Sequence, residues 1–260
     1  MAEHIIQPLL HVTIPYCICI AVARLGLLDG VFTELGLEYY AEKTVSWLPQ
    51  FLTMPFNSSI NLGYIILGVY WLSRENTTAA GKEKPELLYL KNVFAWMALA
   101  YGPVQWIRIV TQTHRYAVLD QWFTLPIFAW VVVWCQYICK GWSTMYTVKT
   151  EAVSILSYLF TLFHSQGFEV ALGFHILLVI TKGIYVQHRY GDTSSMNYFI
   201  LAVLSCIGFV VLKLLDHWLA QSVIFQRMTG HFWSKVCDLL QFHYTFRFLM
   251  YLSNAKRVKK

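Results

Sequence analysis

In the stretch TGHFWSKVCDLLQFHY, His231, Ser234, Lys235 and Asp238 recur at i, i+3, i+4 and i+7. That spacing puts four polar side chains on one face of a helix. His243, twelve residues beyond His231, lies about 120° around an ideal helix and faces elsewhere. Gln105, Arg108 and Gln112 repeat the i, i+3, i+7 pattern on another segment, and Asp120 follows after a short turn, within reach of Arg108. Asn57, Ser58 and Asn61 make a polar start to a third segment, and Asp216 with His217 closes a fourth. A histidine beside carboxylates is the raw material for a metal site or for acid–base chemistry. The same groups also have structural uses. Arg108 with Asp120, and Lys235 with Asp238, can be ion pairs that fix helix register, and the asparagines can join helices by hydrogen bonds. The separate His11, His164 and His175 are expected to be satisfied polar residues. The set on five helices points to a shared cavity, because charge in a bilayer must face partners or water.

The elements that carry these groups are membrane spans. Apolar types make up 57% of the 260 residues and charged types 13%, about half the charged share of a soluble domain. Ten Trp, 16 Tyr and 17 Phe suit aromatic belts at two interfaces. A spanning helix takes about 20 residues. Apolar segments near 8–28, 52–72, 90–112, 118–139, 148–164, 168–187, 196–218 and 229–252 predict an all-α polytopic transmembrane bundle of about eight spans. Breakers separate them at Pro49, Pro55, Gly81 to Pro85, Gly141, Gly167 and Gly191-Asp192. Ala21-Val22-Ala23 resembles a signal-peptide cleavage site, but residues 1–7 contain no Lys or Arg, so the first segment reads as a span. The chain divides into an N-terminal helix with an acidic loop (1–50), a seven-helix bundle (51–252) and a basic tail (253–260).

Charge sets the orientation. Arg74, Lys82, Lys84, Lys91, Lys140, Lys149, Lys182, Arg189 and the tail AKRVKK fall on one side, and the acidic run Asp29, Glu34, Glu38, Glu42 on the other. The positive-inside rule then puts both termini in the cytosol. The net charge of +6 is spent in loops and tail and does not indicate nucleic acid. In this topology neither Asn57-Ser58-Ser59 nor Asn76-Thr77-Thr78 is expected to carry a glycan. The six cysteines fall within apolar segments, where they read as core residues and not as a disulfide framework. P-loop, GxSxG, HExxH and CxxC patterns are absent.

At its polar positions the chain resembles the superfamily of alkaline ceramidases and adiponectin receptors, seven-helix membrane zinc hydrolases. Asn57-Ser58-Ser59-Ile60-Asn61 is similar to their Asn-Thr-x-x-Asn at a helix start. Leu119-Asp120 with Leu125-Pro126 is similar to their Leu-Asp-Glu-Leu-Pro. Asp216 and His231-Phe232-Trp233 match, in order, the penultimate-helix Asp and the opening of the final His-x-x-x-His. The resemblance covers about 50–252, with one helix added in front. It implies a zinc site on three histidines, but Ile109 stands where the first belongs, and Gln105 replaces a serine four residues before it. Lys235 stands at the last histidine, so only His231 remains.

Three functions follow. The first is a non-catalytic relative with a polar intramembrane cavity that binds a lipid or acts as a scaffold, with no cofactor. The second is a zinc hydrolase of lipid amides or esters with rebuilt ligands: His231 kept, His114, Asp238 or His243 as replacement, Asp120 as acid/base. The third is a transporter or receptor built on Arg108, Asp120, Lys235 and Asp238. The expected partners are membrane lipids. The expected location is the endoplasmic reticulum, the Golgi or the plasma membrane.

Overall fold

A chain whose backbone lies in hydrocarbon must satisfy its own amides, and helices do so within one segment. The computed structural model describes residues 3–74 and 84–258, whose regular elements are all helices, with no strand among them. The Asn76 triplet, Lys82 and the Gly81 end of one breaker lie outside the described residues. The helices are α1 (Glu3–Arg24), α2 (Pro55–Ser59), α3 (Leu62–Ser73), α4 (Pro85–Thr111), α5 (His114–Lys140), α6 (Thr144–Ser157), α7 (Gly167–Tyr190), α8 (Thr193–Leu214), α9 (Asp216–Leu219) and α10 (Gly230–Val258). Five of them, α1, α4, α5, α7 and α8, are long and apolar enough to cross a membrane. The chain is a helical membrane bundle.

Of the other three expected spans, the second and fifth differ from the single helices predicted, and the eighth is one helix as expected. The second breaks at Ile60 and Asn61 into α2 and α3, where Asn61 turns its amide back onto the carbonyls of Asn57 and Ser58. The fifth is α6 followed by a 3₁₀ stretch over Tyr158–Leu162. The eighth is the 29-residue α10, which carries the polar stripe. The seventh stops early: α8 ends at Leu214, and Asp216 opens the separate turn α9.

Local chemistry sets the ends. Asp192 and Ser195 form a reciprocal cap on α8, with N–H to oxygen distances of 2.9 and 2.8 Å. Gly141 takes φ +90° after α5, the conformation glycine adopts freely. Gln112 closes α4 in the left-handed region at φ 48°. It lies one residue past the end of α4. The turn is so short that α5 starts two residues later.

α5 sits at the centre, with 83% of its apolar stretch buried, against 28% for α1 and 17% for α8. An aromatic core fills the space between α3, α4, α5 and α10. Trp71 stacks on Phe246 at 4.5 Å, and Phe94 lies 5.3 Å from Phe242. Two buried indoles find acceptors, Trp130 at the Leu90 carbonyl (2.9 Å) and Trp134 at the Ser253 hydroxyl (3.1 Å), whereas that of Trp71 has none. All six cysteines are free.

The histidines read as isolated have partners. His175 meets Ser154 at 2.9 Å and the Ala171 carbonyl at 2.7 Å, and His164 accepts from the Gln166 amide. His11 of α1 lies 2.6 Å from the Glu151 carboxylate of α6 and 2.6 Å from the Tyr89 hydroxyl of α4.

Candidate functional site

The Gln112 turn decides the geometry of the site. It folds α5 back along α4, so that Arg108, in the last turn of one helix, meets Asp120, in the second turn of the other, as a largely buried ion pair. One guanidinium nitrogen donates to Asp120 and another to the Glu34 carbonyl at 3.4 Å. Glu34 belongs to the segment 25–54, which lies over this end of the bundle as a roof.

The roof is tied down by side chains from below. Gln112 accepts the Gly36 amide at 3.1 Å, the His114 ring donates to the Val31 carbonyl at 2.6 Å, and the Trp106 indole to the Phe51 carbonyl at 3.0 Å. Two carboxylates complete the fastening. Glu42 accepts the Phe56 and Asn57 amides at 2.9 and 2.8 Å, capping α2. Burial pushes its carboxyl up from the ordinary value of 4.5, while the two amides pull the other way. Asp216 accepts the Ala41 amide at 2.9 Å with one oxygen and the His231 amide at 2.6 Å with the other. Gly230 lets the chain pass this close, since a side chain there would meet the Leu212 carbonyl at 2.6 Å.

Beneath the roof is a cavity of about 220 Å³. Its polar lining comes from four helices and the roof: Glu34 and Tyr40 above, Gln105 and Arg108 on α4, Asp120 on α5, Lys213 on α8, and His231 and Lys235 on α10, with Asp216 and His217 at its edge. The Tyr40 ring stands edge-on to His231 at 4.8 Å. The polar stripe of α10 is buried along its length, with Ser234 donating to the His231 carbonyl at 2.8 Å.

Several expected neighbours do not meet here. Asp238 turns away from the cavity and accepts the Tyr64 hydroxyl at 2.5 Å. It forms no ion pair with Lys235; the described residues hold no carboxylate within 4.0 Å of that ammonium. Lys235 instead lies 5.9 Å from the centre of the Tyr101 ring. His243 packs against Trp71 at 5.7 Å, on a different side of α10. His217 is exposed. Asn57 and Ser58 on α2 and Asn61 at the break before α3 are buried but do not line the cavity.

These placements bear on whether the residues present could hold zinc. His231 shares the cavity with Ile109 and Lys235, Asp238 is held by Tyr64, and His243 is elsewhere. Among the described residues no three His, Cys, Asp or Glu side chains are grouped to hold a metal ion. The donor set does not fit zinc.

Many polar atoms at this end have no hydrogen-bond partner: both amide atoms of Asn57 and of Gln105, the Ser58 hydroxyl, and one oxygen each of Asn61 and Asp120. The Gln105 amide lies near the Tyr101 hydroxyl without completing a bond of ordinary geometry. Sequence reasoning missed Tyr40, Glu42, Tyr64, Tyr101 and Lys213. Of these only Lys213 carried a signal, as a charge inside an apolar run.

Comparison with known proteins gives one consistent result. The model of the TMEM187 protein family matches residues 8–250. The chain is 52% identical over 244 residues to Transmembrane protein 187 of Bos taurus, covering 94% of this chain and 95% of that one. It is 50% identical over 251 residues to Transmembrane protein 187 of Homo sapiens, covering 96% and 94%. No solved structure matches.

Proposed function

Because the chain belongs to the TMEM187 protein family, we propose that it is an eight-span membrane protein that holds the polar headgroup of a lipid in the roofed cavity without hydrolysing it. The lack of a zinc-binding donor set around His231 carries the second half of this reading. A hydrolase of the kind the sequence resembles needs a Lewis acid and an activated water. Lys235 offers an ammonium at the position of the superfamily's last histidine, which supplies charge but no open coordination position. The first half rests on the cavity itself, polar inside and open to a ligand of headgroup size. Its volume of about 220 Å³ would take roughly seven waters.

Both termini are cytosolic in this reading, and the roof faces the lumen or the cell exterior. A tag after Lys260 is then digested by protease added to cells with a permeabilised plasma membrane and intact organelles. The function is tested on purified full-length protein, by metal analysis and by native mass spectrometry of retained lipid. The expected result is a retained lipid and far less than one zinc per chain. Stoichiometric zinc, or release of fatty acid from a ceramide, would overturn the reading in favour of the hydrolase.

A further inference from the structure

The lining of the roofed cavity carries three cations, Arg108, Lys213 and Lys235, and three carboxylates, Glu34, Asp120 and Asp216, but of the cations only Arg108 has a carboxylate in ion-pair contact, that of Asp120. Asp216 has both oxygens engaged by backbone amides. Lys213 and Lys235 also line the cavity, and no carboxylate of the described residues lies within 4.0 Å of either. Lys235 is only 8% exposed. A buried ammonium without a counter-ion is costly in a low-dielectric interior. Beside it, Gln105 is 2% exposed with an amide that bonds to nothing, although it faces the same cavity.

We propose that the group held here bears a phosphate-type oxyanion, taken by Lys235 and Lys213 as charge partners and by the Gln105 amide as a hydrogen-bond donor. The inference rests on the lipid-binding reading and names the ligand's chemistry. Donors reach the cavity from three helices, α4, α8 and α10, and so from several directions. A planar carboxylate offers two oxygens. A terminal phosphate offers three strong acceptors and up to two negative charges. Charge-assisted hydrogen bonds of this kind are short and about twice as strong as neutral ones. The phosphate can arrive as a lipid headgroup or as free phosphate, and the two sources are separable.

The test uses full-length protein in maltoside detergent micelles, which contain no phosphate, read by melting temperature. Phosphatidic acid added to the micelles is compared with diacylglycerol, which has the same chains and no phosphate, and with inorganic phosphate added to the plain micelles. Phosphatidic acid raises the melting temperature and diacylglycerol does not. Inorganic phosphate alone giving the full shift assigns the site to free phosphate, and a smaller shift assigns it to the lipid. Lys235→Met and, independently, Gln105→Leu weaken phosphatidic acid binding by roughly tenfold or more. Gln105→Leu removes an unpaired amide and keeps the fold, so a misfolded lysine variant cannot mimic the result. An equal shift with diacylglycerol that survives Lys235→Met would overturn the phosphate and leave lipid binding standing. No shift with any lipid or with phosphate would overturn both.

Discussion

Where α1, α4 and α6 meet, His11, Tyr89 and Glu151 complete one another: the ring nitrogens of one histidine serve a carboxylate and a hydroxyl, each at 2.6 Å. At the roofed end the same kinds of group are left open. Gln105 bonds to nothing, Asp120 has a free oxygen, and Lys235 has no carboxylate beside it. Both regions bury polar side chains from several helices in an apolar surround. The difference is that one set is closed and the other needs something from outside. Closed polar sets join helices, whereas open ones lose free energy unless a ligand or water completes them. That contrast, together with the cavity, is what makes the roofed end the candidate site.

Substitutions can break the contrast, and the largest effect belongs to the one ion pair that the roofed end does complete. Asp120→Ala leaves Arg108 buried without its partner, a change that typically costs about 3–5 kcal/mol. The melting temperature in detergent should fall sharply, and replacing Arg108 and Asp120 together by leucine should be milder than either single change. At the closed set, His11→Leu strands Glu151 and Tyr89, at a cost of about 1–3 kcal/mol. Lipid retention should be unchanged, and a stabilised His11→Leu protein would show that the set is not closed in solution. Gln105→Leu should behave oppositely, between neutral and about 1 kcal/mol more stable without ligand. A clear loss of stability there would mean the amide is already satisfied.

The smallest effect is a pH dependence of the roof. Glu42 binds its proton more readily folded than unfolded, because burial raises its folded value above 4.5. Its contribution to stability is therefore greatest below the ordinary value and declines as pH rises through the raised one. Protease susceptibility of 25–54 should increase with pH over that window, and Glu42→Gln should flatten the profile.

The spans were legible because twenty apolar residues between breakers admit few other readings. The Arg108–Asp120 pair was legible because only a short turn separates its two helices. The roof was not, since 25–54 has neither helical nor strand periodicity and its order comes from carboxylates and amides far along the chain. His11 looked isolated because its partners lie 78 and 140 positions away. Glu151 was the available clue, a carboxylate two turns into an apolar helix that had to find a donor. Asp238 was assigned to the wrong neighbour because Lys235 is nearer in sequence than Tyr64, although the tyrosine hydroxyl is what it meets. Asp216 seemed to end a helix. Its place at the start of α9 depends on the passage of Gly230 beside it, which no local pattern encodes.

Asp216 also sets how the cavity can be filled. One carboxylate fastens the roof at Ala41 to the first turn of α10 at His231, so lifting the roof would pull on the helix that carries Lys235. Entry from above is therefore coupled to disruption of the site it would serve. The flank formed by the end of α8 is less constrained, where Lys213 and Leu214 line the cavity and are themselves exposed. On the proposed lipid-binding reading, exchange through that flank would draw from the surrounding leaflet, and the dwell time of a lipid would be set by its solubility in the membrane and by lateral diffusion past α8.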